Sequence, residues 1–167
     1  MKYFAYGSNL LLTKMTRVVP SAVPGGRVRL SGYRLKFHKK SCDGSAKCDA
    51  YGTGDERDVL HGVVYEIDEK EKPNLDRAEG LGSGYNEVEI EVKGDRGPVT
   101  AFMYVADSEY IDDTLQPYSW YKEYVLKGAQ EQRLPESYIE EHVAKVEAIE
   151  DPDKERDKEK RYLLTNS

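Results

Sequence analysis

Tyr3-Phe4-Ala5-Tyr6-Gly7-Ser8-Asn9-Leu10 is the stretch from which this chain is read. An aromatic run bounded by a glycine makes Tyr3 to Tyr6 a short strand. Ser8 and Asn9 are preferred helix N-caps, and Leu10, Leu11, Leu12 and Met15 supply the buried stripe of a short helix behind them. The order is therefore strand, tight glycine turn, helix start. Such a junction leaves backbone N–H groups unpaired and aimed at one spot, a site suited to a carboxylate or a developing oxyanion. The plainer alternative is a capped turn that only starts a helix.

Further along, Val28, Leu30, Tyr33, Leu35 and Phe37 alternate with polar residues. That spacing predicts a half-buried strand, or a bent pair of strands around Ser31-Gly32, after a loop at Pro24-Gly25-Gly26. Residues 38–47 read as a polar loop, followed by a short strand from Cys48 to Thr53. His61 to Ile67 is β-branched and apolar, a strand. Asp68 then caps a helix with Lys70 to Ala78 as its body, shortened by Pro73 and ended by Gly80. Val88, Ile90 and Val92 alternate with Glu87, Glu89 and Glu91; Val99, Ala101, Met103 and Val105 continue the pattern beyond a turn, which predicts a hairpin.

From Pro117 the period becomes helical. Trp120, Tyr121, Tyr124, Val125 and Ala129 share a face, with Gly128 a weak point, and Pro135 opens a last helix through Tyr138, Ile139, His142, Val143, Val146 and Ile149. Roughly six strands and four helices result, an α+β fold with a curved antiparallel or mixed sheet. Residues 1–150 are expected to form one domain. Residues 151–167 form a charged C-terminal extension, expected as a solvated helix or a disordered tail.

A length of 167 residues suits one domain with a real core, and 38% hydrophobic against 34% charged residues gives a soluble, well-charged surface. The net charge of −6 argues against nucleic acid or an anionic membrane as partner, since both select clustered positive charge. No apolar run approaches the roughly 20 residues that span a bilayer. No signal-peptide pattern precedes the first strand, so the expected compartment is the cytoplasm. Cys42 and Cys48 do not have Cys-x-x-Cys spacing and lack a second ligand pair, so they are expected as reduced thiols, with no metal.

No Ser-His-Asp set, Walker loop, Gly-x-Gly-x-x-Gly or His-Glu-x-x-His motif is present. His61 and His142 are better read as packing residues. An acid–base group would then be a carboxylate, and Glu79 stands out. It ends a weak helix beside Leu75 and Ala78 and precedes Gly80-Leu81-Gly82-Ser83-Gly84, where a backbone or substrate can come close. Apolar neighbours would disfavour its charged form and move it toward acid–base use. The plainer reading is an exposed carboxylate at a helix end.

Together, Tyr3-Phe4-Ala5-Tyr6-Gly7-Ser8-Asn9-Leu10 and Leu75-Asp76-Arg77-Ala78-Glu79-Gly80 resemble the gamma-glutamylcyclotransferase family. The first matches the family's substrate loop at every position. The second matches its Leu-Asp-x-x-Glu-Gly segment, whose glutamate is catalytic. Tyr121-Lys122, Gly128-Ala129 and Leu134-Pro135 look like the helix and turn that carry a substrate-contacting tyrosine in the glutathione-degradation branch. The resemblance covers most of residues 1–150, whereas residues 38–55 depart from the family's glycine-containing strand at the pocket.

The resemblance implies a small curved β-barrel with flanking helices. It implies an enzyme that converts a gamma-glutamyl amino acid or dipeptide to 5-oxoproline and releases the amino acid. Glu79 would act as base and then acid. Tyr3, Phe4, Ala5, Tyr6, Gly7, Ser8, Asn9 and Tyr121 would bind substrate, partly through backbone because strand alternation cannot turn every side chain inward. No cofactor is implied, and a homodimer is. The alternatives are a gamma-glutamylamine cyclotransferase, a gamma-glutamyl deprotection enzyme, or a non-catalytic binding protein of the same fold.

Overall fold

Residues 1–165 are described by the computed structural model. The first strand, β1 (Lys2–Ala5), is the seam of the fold. It runs antiparallel to a strand at Val59–Glu66 and parallel to one at Gly97–Ala106, where Tyr3 faces Phe102. In chain order the remaining strands are β2 (Val23–Ser31), β3 (Tyr33–Lys40), β4 (Ala46–Gly52), β5 (Val59–Glu66), β6 (Tyr85–Gly94) and β7 (Gly97–Ala106). The order β1-β5-β2-β6-β7 closes into a barrel, and β3 pairs with β4 as a separate two-stranded sheet. The expected α+β fold with a curved, barrel-like sheet is what the chain forms.

Phe4, Leu60, Val63, Tyr65, Val92 and Met103 pack the interior with almost no exposure. Each such side chain contributes about 1.5–3 kcal/mol of burial free energy. Gly62 lets β1 and β5 approach closely: a Cβ there would lie 2.2 Å from the Ala5 carbonyl oxygen.

Among the described residues five α-helices flank the barrel: α1 (Leu12–Val18), α2 (Lys72–Glu79), α3 (Ser119–Glu131), α4 (Glu136–Ile139) and α5 (Lys154–Thr165). The expected glycine stop of α2 is present. Gly80 takes a left-handed conformation (φ 72°, ψ 45°), and the Leu81 N–H reaches back to the Asp76 carbonyl at 2.9 Å. Gly128, read from sequence as a weak point, is instead a close approach. A Cβ there would sit 2.5 Å from the Leu11 nitrogen, so its absence lets α3 lie directly on the Ser8–Leu10 turn.

Four local expectations change. The helix expected from Pro135 through Ile149 stops early: α4 continues only as a π turn to Ala144, and Ile149 pairs with Tyr118 instead. Ser8 and Asn9 do not cap a helix through their side chains; Ser8–Leu10 is a 3-10 turn, and α1 starts only at Leu12. Pro24-Gly25-Gly26 is not a loop but the bulged start of β2, with the register shifting between Pro24 and Arg27. Residues 38–40 are strand rather than loop. A second bulge, between Phe37 and Lys39, turns the consecutive residues His38 and Lys39 both inward. Lys154–Thr165 is helical, with Leu163 buried, and Arg161 bonds to Glu123 and to Ser119 of α3.

Candidate active site

Glu79 takes its place from three constraints on α2. Leu75 is fully buried and anchors the helix. Asp76 accepts a hydrogen bond from the Tyr104 hydroxyl of β7 at 2.6 Å and pairs with Lys72 at 2.8 Å. Glu79 lies three residues after Asp76, on the same helical face, and so is presented to the same side of the barrel.

The Gly7–Asn9 turn meets it there. The Asn9 Nδ2 donates to Glu79 Oε1 at 2.7 Å and to the Tyr3 hydroxyl at 3.0 Å, while Lys14 Nζ donates to Asn9 Oδ1 at 2.7 Å. A lysine ammonium only donates, so the amide oxygen must face Lys14 and the amide nitrogen must face the carboxylate. This is the work Asn9 does in place of capping.

The first bond of the turn runs from the Leu10 N–H to the Gly7 carbonyl at 3.1 Å. The N–H groups of Ser8 and Asn9 therefore lie ahead of the turn's own ladder. Tyr65 of β5 fixes the other side by donating its hydroxyl to the Asn9 carbonyl at 2.8 Å.

Tyr3, Tyr6, Gly7, Ser8, Asn9, Cys48, Glu79, Tyr85, Tyr104 and Tyr121 line one narrow cleft. Seven of the residues expected from sequence are brought together here: Glu79, Tyr3, Tyr6, Gly7, Ser8, Asn9 and Tyr121. Phe4 and Ala5 are not. Phe4 is wholly buried in the barrel, and Ala5 faces Val63 of β5. Strict alternation would put Tyr3 and Tyr6 on opposite sides, yet both line the cleft, because β1 ends at Ala5 and the chain turns.

Sequence patterns do not single out three of the lining residues, Cys48, Tyr85 and Tyr104. Cys48 and Tyr85 are tied to each other, since the Tyr85 hydroxyl donates to the Cys48 carbonyl and the Cys48 N–H donates to the Tyr121 hydroxyl at 2.9 Å. Tyr104 falls on the face of β7 that alternation leaves outside, but β7 is buried on both faces from Ala101 to Tyr104. The one usable signal was the Cys48-Asp49-Ala50-Tyr51-Gly52-Thr53 stretch, already predicted as a strand where the resemblance places a pocket wall.

Burial pushes the Tyr3, Tyr6, Tyr85 and Tyr121 phenols well above their ordinary range, and the Glu79 charge adds to this at Tyr3, Tyr85 and Tyr121. They are neutral hydrogen-bonding groups at physiological pH. Burial likewise pushes the Cys48 thiol up to about 12. Glu79 is not enclosed by apolar side chains as expected. It is half-buried, Ala78 beside it is exposed, and its carboxylate is held by the Asn9 amide. Among the described residues no group of three or more His, Cys, Asp or Glu is placed to hold a metal ion, and no helix is long and apolar enough to cross a membrane.

A closed barrel whose rim holds one carboxylate against a glycine turn and a ring of phenols matches a known class. Residues 59–141, which contain Glu79, Tyr85 and Tyr121, match the AIG2-like family. Whole-chain relatives are more specific. The gamma-glutamylcyclotransferase of Mus musculus is 33% identical over 156 residues, covering 89% of this chain and 78% of the relative. That of Homo sapiens is 31% identical, covering 90% and 79%. The solved structure of a gamma-glutamyl cyclotransferase superposes with a TM-score of 0.81 at 26% identity over 98% of both chains. The chain belongs to the gamma-glutamylcyclotransferase family.

Proposed function

We propose that this protein is a gamma-glutamyl cyclotransferase with Glu79 as its acid–base group. The observation that carries the reading is that Glu79 is the one carboxylate among the described residues lining the cleft, and that it is oriented by the Asn9 amide of the family's substrate loop.

The reaction is an intramolecular acyl transfer. The substrate's alpha-amine attacks its own gamma-carbonyl, a five-membered ring closes, the gamma C–N bond breaks, and 5-oxoproline and a free amine leave. The nucleophile is already tethered, so the enzyme's first task is to hold the chain folded back on itself. Tyr3, Tyr6 and Tyr121 wall such a conformer. Glu79 takes a proton from the alpha-ammonium and returns it to the departing nitrogen, so one carboxylate serves both transfers. The Ser8 and Asn9 N–H groups bind an anionic oxygen in this reading, either the substrate's alpha-carboxylate or the oxyanion of the tetrahedral intermediate.

The test is 5-oxoproline release from gamma-glutamyl-alanine, gamma-glutamyl-cysteine, glutathione and epsilon-(gamma-glutamyl)-lysine, with Glu79→Gln as control. Turnover that falls roughly 10²- to 10⁴-fold in the variant while substrate binding persists is the expected result. Binding without turnover in the wild-type protein would replace the reading with a non-catalytic one.

A further inference from the structure

Glu79 also lines a second depression, together with Lys39, Lys40, Ser41, Arg77 and Tyr110. Glu79 is common to both cavities, so a substrate whose gamma-glutamyl part fills the first cleft extends its departing group into the second. Lys39 is the unusual residue there. It is only 8% exposed, because the bulge in β3 turns it inward. Its ammonium lies 4.7 Å from the centre of the Tyr85 ring and 5.7 Å from that of Tyr110. Gly84 makes room for it: a Cβ at that position would lie 2.7 Å from Lys39 Nζ. Among the described residues no hydrogen bond or ion pair engages this ammonium.

A buried cation held only by ring faces has given up water without gaining an anion, which is costly unless a ligand supplies one. Burial lowers its pKa, and the Glu79 charge works against that lowering. Lys40 and exposed Arg77 add positive groups at the depression and Glu109 a negative one. Apart from Glu79, the fixed charges lining it are thus Lys39, Lys40 and Arg77 against Glu109.

We infer that this depression is the leaving-group subsite and that Lys39 seats a carboxylate of the departing amino acid or peptide. The inference rests on the cyclotransferase reading and makes it narrower. What it adds is the residue: Lys39 reads the carboxylate that distinguishes a released amino acid from a plain amine. The region that departs from the family's usual strand, residues 38–55, is then where this chain sets its leaving-group preference.

The experiment compares gamma-glutamyl-alanine with gamma-glutamyl-ethylamine, which lacks only the carboxylate and its attachment. Both kcat/KM in the wild-type protein and calorimetric binding to the Glu79→Gln variant are measured. A charge-assisted contact predicts a preference of roughly 10- to 100-fold for gamma-glutamyl-alanine in both. Lys39→Met should remove that preference by weakening only gamma-glutamyl-alanine, Lys39→Arg should keep much of it, and Lys36→Met should leave it unchanged. Equal use of the two substrates by the wild-type protein overturns the subsite, and that comparison needs no variant to fold. Turnover without preference would sink the subsite and spare the cyclotransferase reading. A Lys39-dependent binding preference without turnover would do the reverse, and neither binding nor turnover would overturn both.

Discussion

The Gly7–Asn9 turn and the β3–β4 hairpin wall the same cleft, and they are held in different ways. The turn is short and covalently continuous with β1, and its shape follows from a glycine and a few backbone bonds. The hairpin lies outside the barrel sheet and is held by a buried His38–Asp49 pair across its own two strands and by polar contacts from distant parts of the chain. His38 bonds Asp49 at 2.7 Å and Asp113 at 3.0 Å, Asp49 accepts from the Ala106 N–H at 2.7 Å, and Tyr121 and Tyr85 bind the two backbone groups of Cys48. Backbone bonds thus shape the turn that reaches Glu79 through one side-chain amide, whereas several side-chain clamps together position the wall that touches the rest of the substrate.

The two regions meet at Gly7, so the sharpest way to disturb both is Gly7→Ala. A Cβ there would stand 2.9 Å from Cys48 Cβ and 3.3 Å from its Sγ, and Cys48 is fixed at both of its backbone groups. Overpacking of this kind costs about 1–3 kcal/mol, read as a lowered Tm. Displacing the turn from Glu79 should also lower kcat/KM on the order of 100-fold, the scale of an ångström-level misplacement. Activity within twofold of wild type would mean that the hairpin yields freely and is no fixed wall.

Asn9→Ala acts on the turn alone. It removes the hydrogen bond to Glu79, and kcat/KM should fall about 10- to 100-fold, the range for a hydrogen bond to a charged group. Lys14→Met keeps that amide but releases its orientation, so a smaller loss of roughly 2- to 10-fold is expected. Adding Lys14→Met to Asn9→Ala should cost nothing further if Lys14 acts through the amide, and a further loss would show that its charge acts on Glu79 directly.

How much of this was legible follows from the same division. Alternation in Val88–Val92 and Val99–Val105 and the glycine stop of α2 are local signals, and the hairpin β6–β7 and the end of α2 appear where they predict. The placement of Glu79 and Tyr121 beside the turn was reachable through motif resemblance, though not through periodicity. His38 and Lys39 were read as loop because consecutive buried polar residues break a period of two; only a bulge reconciles them with a strand, and the bulge depends on partners in β4 and at Asp113. Asn9 was misread for a related reason. Its residue type is right for a cap, but the Oδ1 that a cap would offer to the helix N–H groups accepts from Lys14, and its Nδ2 goes to Glu79, 70 positions away in sequence.

The smallest effect concerns the two thiols, and it tests the hairpin without reference to catalysis. Cys42 is exposed and Cys48 is buried. With its thiol pushed up to about 12, Cys48 carries on the order of one thiolate in 10⁴ molecules at pH 8, and that trace is shielded from solvent. Iodoacetamide at pH 8 should therefore modify Cys42 at the rate of an open thiol and leave Cys48 intact until the protein is unfolded, as peptide mapping by mass spectrometry would show. In Gly7→Ala the added methyl presses on Cys48 itself, so Cys48 should become alkylated in the folded protein while the rate at Cys42 stays the same. If Cys48 already reacts as fast as Cys42 in the wild-type protein, the polar clamps do not hold β4 closed, and the wall that Cys48 and Tyr85 give the cleft is not a fixed one.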